Sequence, residues 1–180
     1  MTPLQSSRPA LRLVHGADVA PAEVQWAWFC GHCAAPSPNT SAPAPTARVC
    51  TSCGLGLLLE TRADTAPSPR EAFLVVDTSL LVQAMSRRAQ SLLELTEAEA
   101  VDRPVSELLV AADAEDTSSS SLARAIVGAA GGAEQAATTV VRPWNTFGVR
   151  MRAKIAPCGP PRAALLVLED PASRRLRAVD

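Results

Sequence analysis

The sequence predicts an α+β protein in which a small metal-binding module precedes a larger domain. Two observations predict this division. Two Cys-x-x-Cys motifs lie close together in the first third of the chain, and the later part carries two strand-like runs, several short helical patterns and three more strand-like runs. A chain of 180 residues is long enough for one small and one medium domain.

The most specific signal is the pair of Cys-x-x-Cys motifs, which are separated by sixteen residues. Each motif can form a tight turn that presents two sulfurs to one metal, and this spacing is typical of a tetrahedral four-thiolate zinc site. Ordinary buried or disulfide-bonded cysteines are the alternative, which two matched motifs disfavour. The sequence therefore predicts zinc bound by four ligands: Cys30, Cys33, Cys50 and Cys53.

Residues beside the cysteines support a metal-binding turn, or knuckle, at each motif. Gly31 and Gly54 stand where a knuckle needs a residue that can adopt positive φ. His32 lies inside the first motif, where we expect a turn residue and not a ligand. The aromatic run 24–29 is expected to form the miniature core of the module, with an exposed partner-binding patch as the alternative.

The order of elements around the cysteines resembles the zinc-ribbon family. Segment 34–47 is rich in Ala, Pro, Ser and Thr and predicts a loop, and 55–60 predicts a strand that leaves the second knuckle. Knuckle, strand, knuckle and strand is the ribbon order, and the resemblance covers about 25–60. A Pro- and Ser-rich linker follows at 63–70.

The larger part of the chain opens with two strands joined by a turn, at 73–76 and 81–85. Ser86 can cap the helix that follows, and Thr96 with Glu99 resembles a capping box. Apolar spacing predicts a further helix over 122–129, ending at a Gly-Gly pair. Three strand-like runs close this part: 135–142, 147–156 and 162–169.

The middle run of the closing strands alternates between apolar and basic residues. Val149, Met151, Ala153 and Ile155 share one face, and the intervening positions are Arg150, Arg152 and Lys154. Such alternation predicts a strand with one buried face and one face in water.

This order of elements resembles a PAS domain over about 71–170. The resemblance rests on a strand that ends at Asp77, a Leu-Leu helix, the Thr-x-x-Glu box and Arg103-Pro104 before Leu108-Leu109. It implies a five-stranded antiparallel sheet with helices across one face and a cavity between them. Four positions depart from the common family pattern, which often has glycine at the first three and asparagine at the last: Leu80, Glu94, Asp102 and Ser86.

The residues available inside the PAS-like part limit which ligand it holds. Haem is disfavoured because His15 and His32 both lie outside this part. A light-sensing flavin is disfavoured because it needs a reactive cysteine on the helical side of the cavity, whereas Cys158 lies on the closing strands. Few aromatic side chains are available to stack on a flat cofactor. We expect a small cavity suited to an apolar molecule such as an acyl chain, with an ordinary filled core as the alternative. Its expected lining residues are Val82, Ala84, Leu92, Val149, Met151 and Ile155.

Composition narrows the class of function. The formal net charge of −1 gives no electrostatic reason to expect a nucleic-acid or anionic-membrane partner. We expect a cytoplasmic protein, because the start of the chain lacks a secretory pattern and four of the five cysteines sit in the metal pattern. No apolar run approaches the ~20 residues of a membrane helix. No catalytic triad or glycine-rich phosphate loop is recognisable, so an enzyme is not expected.

Together these features predict a bacterial regulatory protein. Its PAS domain is expected to sense a small apolar ligand or dock a partner, to form a homodimer, and to act with a separate signalling or transcription protein. A ribbon that contacts nucleic acid and a zinc-thiolate redox sensor are the alternatives. The expected division is an N-terminal tail (1–24), ribbon (25–62), linker (63–70), PAS domain (71–170) and C-terminal tail (171–180).

Overall fold

The computed structural model describes residues 24–38, 41–112, 119–133, 135–146 and 148–169, so the two predicted tails lie almost wholly outside the described residues. The strands are β1 Trp26–Cys30, β2 Leu58–Arg62, β3 Ala72–Val76, β4 Val82–Met85, β5 Leu109–Ala111, β6 Ala137–Pro143, β7 Met151–Gly159 and β8 Ala163–Glu169. The helices are α1 Arg87–Leu93, α2 Glu97–Ala100 and α3 Ser119–Ala130, with short 3-10 turns at Pro45–Ala47 and Val105–Glu107. Within these ranges, no helix combines the length and apolarity that crossing a bilayer requires.

The predicted antiparallel sheet with helices across one face is confirmed. Strands β4, β3, β8, β7 and β6 lie side by side in that order, and every pairing between them is antiparallel. The sheet has eight strands and not five, because β5 extends the edge at β6 and the two strands of the ribbon join at β7. We call described residues 24–62 the ribbon segment and 71–169 the PAS-like segment.

Strand β2 connects the ribbon segment to the sheet. Glu60 and Thr61 pair with Gly159 and Cys158 at the end of β7. Strand β6 pairs with the same edge of β7 nearer its start, at residues 151–155. The buried Thr61 hydroxyl also donates a hydrogen bond of 2.8 Å to the carbonyl of Pro157. The predicted strand at 55–60 therefore begins later than expected, because residues before Leu58 still belong to the second knuckle.

One face of the sheet packs against the helices. Side chains from alternate positions of the central strands form this core together with α1 and α3, and they include Leu74, Val76, Met151, Ile155, Leu166 and Ile126. Ser86 caps α1, since its hydroxyl accepts a hydrogen bond from Ala89 N, and the predicted capping box of Thr96 and Glu99 is present at α2. Helices α1 and α2 therefore begin where the sequence predicts, directly after Ser86 and Thr96.

The other face of the sheet packs against the ribbon segment. Phe73, Val75 and Leu165 form a second core with Phe29 and Leu59 of the ribbon. The rings of Phe29 and Phe73 meet edge to face, with centroids 5.6 Å apart and planes at 82°. All of β3, and β8 up to Leu168, are consequently buried on both faces.

This second core changes the interpretation of β7. Arg152 is exposed as predicted, but the same face becomes buried further along, at Ala156 and Cys158. The prediction of one wet face is therefore wrong for the end of β7, because the ribbon segment covers it there. The strand also begins at Met151, so Val149 precedes it and is 39% exposed.

The three positions that hold a larger residue where glycine is common all adopt a left-handed backbone. Leu80, Glu94 and Asp102 have φ of 66°, 54° and 63°. A side chain with a Cβ atom is disfavoured in this region by roughly 1–2 kcal/mol. The turns therefore keep the geometry that glycine would favour, although the residues differ.

Replacing Glu94 by glycine tests this strain, because Glu94 is the exposed left-handed C-cap of α1. We expect Glu94→Gly to raise the free energy of unfolding by about 0.5–1 kcal/mol, since it removes the Cβ penalty. Urea unfolding followed by circular dichroism measures the change. Glu94→Ala is the matched control that removes the charge and keeps the Cβ atom. Equal stability of the two variants would contradict the assignment.

Candidate metal centre

The structure brings the four predicted ligand cysteines together. Their sulfurs all lie within 4.8 Å of one another, and the cysteines are not joined by disulfides. Cys30 Sγ lies 3.7 Å from Cys53 Sγ, and Cys33 Sγ lies 3.8 Å from Cys50 Sγ. A tetrahedral site with metal–sulfur bonds of about 2.3 Å has sulfur–sulfur edges of about 3.8 Å. The spacing of the sulfurs thus fits a tetrahedral thiolate site.

Backbone amides surround the sulfurs with hydrogen-bond donors. The amides of His32 and Cys33 each lie 3.4 Å from Cys30 Sγ, and the amide of Gly56 lies 3.5 Å from Cys53 Sγ. Such donors stabilise the thiolate form and orient the sulfurs toward one centre. In the first motif the turn folds its own backbone over its first sulfur, Cys30 Sγ, whereas in the second knuckle the donor is Gly56, three residues after Cys53.

Two opposing effects act on the thiols. Burial raises the pKa of Cys30 to about 12 and also raises the pKa of Cys33, because a thiolate there would lose its hydration. Hydrogen bonds from the backbone of Gly56 and Leu55 lower the pKa of Cys53 to about 6. A bound cation would offset the desolvation cost of ionising Cys30 and Cys33 in this partly buried cluster.

The two knuckles have the same backbone course. Ala34 N donates to Cys30 O at 3.0 Å, and Gly54 N donates to Cys50 O at 2.8 Å. The residue after the second cysteine of each motif has positive φ, 59° at Ala34 and 68° at Gly54. The predicted role of Gly54 is confirmed. That of Gly31 is wrong, because Ala34 takes the left-handed conformation in the first knuckle.

Gly56 is a functional position that the sequence analysis missed. A Cβ atom at Gly56 would lie 2.7 Å from His32 Cβ and 2.9 Å from His32 N, and would also overlap Cys30 Sγ. The two knuckles therefore approach each other so closely that only glycine fits. The available signal was a glycine inside an apolar run, which often marks a close approach of two backbones.

His32 lies beside the four-sulfur cluster and contacts the PAS-like segment. Its Nδ1 lies 2.8 Å from Glu97 Oε2, while its Nε2 accepts a hydrogen bond of 3.4 Å from Arg87 Nε. This pattern assigns the ring proton to Nδ1, which donates to the carboxylate. The other oxygen of Glu97 accepts from Met85 N at 3.0 Å. His32 therefore connects the first knuckle to the end of β4 and the start of α2.

The predicted ligand-lining residues do not all lie together. Val82, Met151 and Ile155 are fully buried in the core beneath the helices, and Leu92 packs beside them. Ala84 packs against the core on the ribbon side, and Val149 is exposed ahead of β7. The structure thus groups four of the six on the helical side of the sheet. That these four line a ligand cavity stays a prediction.

Comparisons with known proteins give structural matches alone. No family model matches the chain, and no curated protein matches it. The PAS domain of nitrogen regulation protein NR(II) from Vibrio parahaemolyticus matches at 15% identity and a TM-score of 0.40, over 56% of this chain and 88% of that one.

Two further solved structures match over a similar length. A PAS domain from Colwellia psychrerythraea matches at 14% identity and a TM-score of 0.44, over 58% of this chain and 88% of that one. The PAS domain of an HTR-like protein from Haloarcula marismortui matches at 14% identity and a TM-score of 0.41, over 54% of this chain and 78% of that one. These three matched structures are PAS domains, and the four clustered cysteines are consistent with a zinc ribbon.

Proposed function

We propose that this chain is a regulatory protein in which a zinc-bound ribbon is docked on a PAS-like domain. The observation that carries the proposal is the set of four sulfurs within 4.8 Å of one another, two pairs of which are 3.7 and 3.8 Å apart, about the edge length of a tetrahedral zinc site. Soft thiolate ligands favour zinc and iron over magnesium or calcium. Four protein thiolates leave no coordination position open for a substrate, so the role of zinc here is structural, and it holds two turns against the sheet.

We propose a regulatory and not a catalytic role, which is supported by the PAS-like arrangement because PAS domains are typically sensory. We propose that the protein acts in the cytoplasm as a homodimer through its PAS-like segment, and that it signals to a separate protein. The PAS-like segment senses a small apolar ligand or docks a partner. The four buried or half-buried residues Val82, Leu92, Met151 and Ile155 are the proposed contacts on the helical side.

Protein contact through the ribbon segment is supported by its exposed apolar side chains. Trp26 is 49% exposed, Val49 is 52% exposed and Leu57 is 54% exposed. Val49 and Leu57 are also paired across an isolated β-bridge, so these two exposed side chains lie on neighbouring backbone and offer apolar surface to a partner. A four-thiolate zinc site also carries a formal charge of about −2, which disfavours contact with a nucleic-acid backbone.

Native and denaturing mass spectrometry of the purified chain tests the metal and the assembly together. We expect one zinc per chain and a dimer in the native spectrum, with the zinc lost under denaturing conditions. Cys33→Ser should lose the zinc, because only three of the four thiolate ligands remain. Cys158→Ala is the control, since Cys158 lies in the ribbon-side core away from the cluster and should leave the zinc bound. A folded wild-type chain without metal contradicts the proposal.

Gly56→Ala tests whether the close approach of the knuckles is needed for the metal. The added methyl group meets the backbone of His32, which cannot move without displacing Cys30 and Cys33. We expect zinc affinity to fall about tenfold or more, as for other overpacked sites. Competition with a chromogenic chelator measures it. Gly128→Ala in α3 is the matched control, because nothing lies within 4 Å of its added Cβ atom. Equal zinc affinity in both variants would show that the close approach of the knuckles is not needed for zinc binding.

A further inference from the structure

A cleft of about 680 Å³ lies between the second knuckle and the ribbon-side face of the sheet. It falls within the roughly 300–1,000 Å³ range of small-molecule sites. Its apolar walls come from both segments: Leu55, Leu57, Leu59, Val75, Ala84 and Ala163. This cleft lies on the face opposite the helices, so it is distinct from the cavity that the family resemblance implies.

The knuckle presents aliphatic side chains to this cleft without covering them. Leu55 is 71% exposed and Leu57 is 54% exposed, whereas the sheet side of the cleft is formed by the buried Val75 and Ala163. The cleft separates these two leucines from the apolar side chains of the sheet. An aliphatic molecule in the cleft would remove the exposed apolar surface of the leucines from water.

The acidic groups of the cleft are already engaged in holding the fold. Glu97 uses one oxygen for His32 and the other for Met85 N. Asp77 Oδ1 accepts hydrogen bonds from the amides of Ser79 and Leu81, and its Oδ2 accepts from Gln83 Nε2. These carboxylates therefore have structural partners and place negative charge beside the apolar walls.

Arg162 is different from the other charged groups of the cleft. It lies in the turn between β7 and β8, is exposed, and its guanidinium makes no hydrogen bond or ion pair with any residue that the structure describes. A guanidinium presents a planar fork of donors that matches a carboxylate. Its free donors are the feature of this cleft that points to the charge of a ligand.

We propose that this cleft binds a small aliphatic molecule that carries one carboxylate. The carboxylate pairs with Arg162, and the aliphatic chain lies against Leu55, Leu57 and Val75. Asp77 and Glu97 disfavour ligands with further negative charge, because like charges in a partly enclosed site repel. The proposal rests on the proposed zinc ribbon, since the second knuckle positions both leucines. A ligand in this cleft contacts both segments and therefore stabilises their docking.

Titration calorimetry of the zinc-loaded full chain with three eight-carbon probes tests the charge of the ligand. We expect octanoate to bind and octan-1-ol to bind at least tenfold more weakly. Octylammonium should also bind more weakly than octanoate, because Arg162 repels it and the carboxylates of Asp77 and Glu97 already have hydrogen-bond partners. Arg162→Gln should weaken octanoate about tenfold or more and leave octan-1-ol unchanged. Arg124→Gln, an exposed arginine of α3 beyond the other face of the sheet, should leave octanoate binding unchanged.

Methyl chemical shifts report where octanoate binds. We expect changes at Leu57, Val75 and Ala163, and none at Met151 or Ile155. Tighter binding of octylammonium, octanoate binding unaffected by Arg162→Gln, or shifts confined to the helical core would each overturn the proposal. Zinc content is measured on the same samples. Bound zinc without octanoate binding rejects the cleft alone, and a folded chain without zinc rejects the proposed function.

Discussion

Strands β3 and β8 carry apolar side chains on both of their faces, and this constraint shapes the whole molecule. Residues 72–76 and 163–168 are all buried. The helices cover one face, so Phe73, Val75 and Leu165 would meet water on the other unless a second layer covers them. Leaving a large apolar side chain exposed costs about 1.5–3 kcal/mol. The ribbon segment supplies that layer through Phe29 and Leu59.

The ribbon segment in turn is too small to fold on its own core. Fewer than about 40 residues rarely bury enough surface without a metal or a partner. Here both supports are available. The sulfur cluster joins the two knuckles, and the sheet receives β2 at the end of β7. His32 and Glu97 connect the two supports, because the histidine lies within the first metal-binding turn and the glutamate begins α2. The cysteine cluster, the ribbon segment and the sheet are therefore linked to one another by direct contacts.

Much of the candidate site could be predicted because its information is local. The spacing of Cys30, Cys33, Cys50 and Cys53 specifies two turns, and Ser86 and Thr96 mark helix starts by side chains that bond to the backbone three residues on. These features depend on neighbouring residues alone.

The contacts between segments could not be predicted in the same way. His32 and Glu97 are 65 residues apart, and the pairing of Thr61 with Cys158 depends on strand register between distant parts of the chain. Residues 73–76 form a continuous apolar run, which is the sequence signature of a strand covered on both sides. That run indicates a second covering layer without saying which segment provides it. Gly56 was missed for a related reason, because its constraint comes from the other knuckle.

Hydrogen exchange measured by mass spectrometry, with zinc bound and after chelation, tests most directly whether the metal-held ribbon supports the sheet. If it does, removing zinc increases exchange in β1 and β2 and also in the end of β7 and in β8, at residues 156–168, which the ribbon segment covers. Faster exchange confined to residues 24–62, with 156–168 unchanged, would contradict the account and show that the sheet is stable without its second layer.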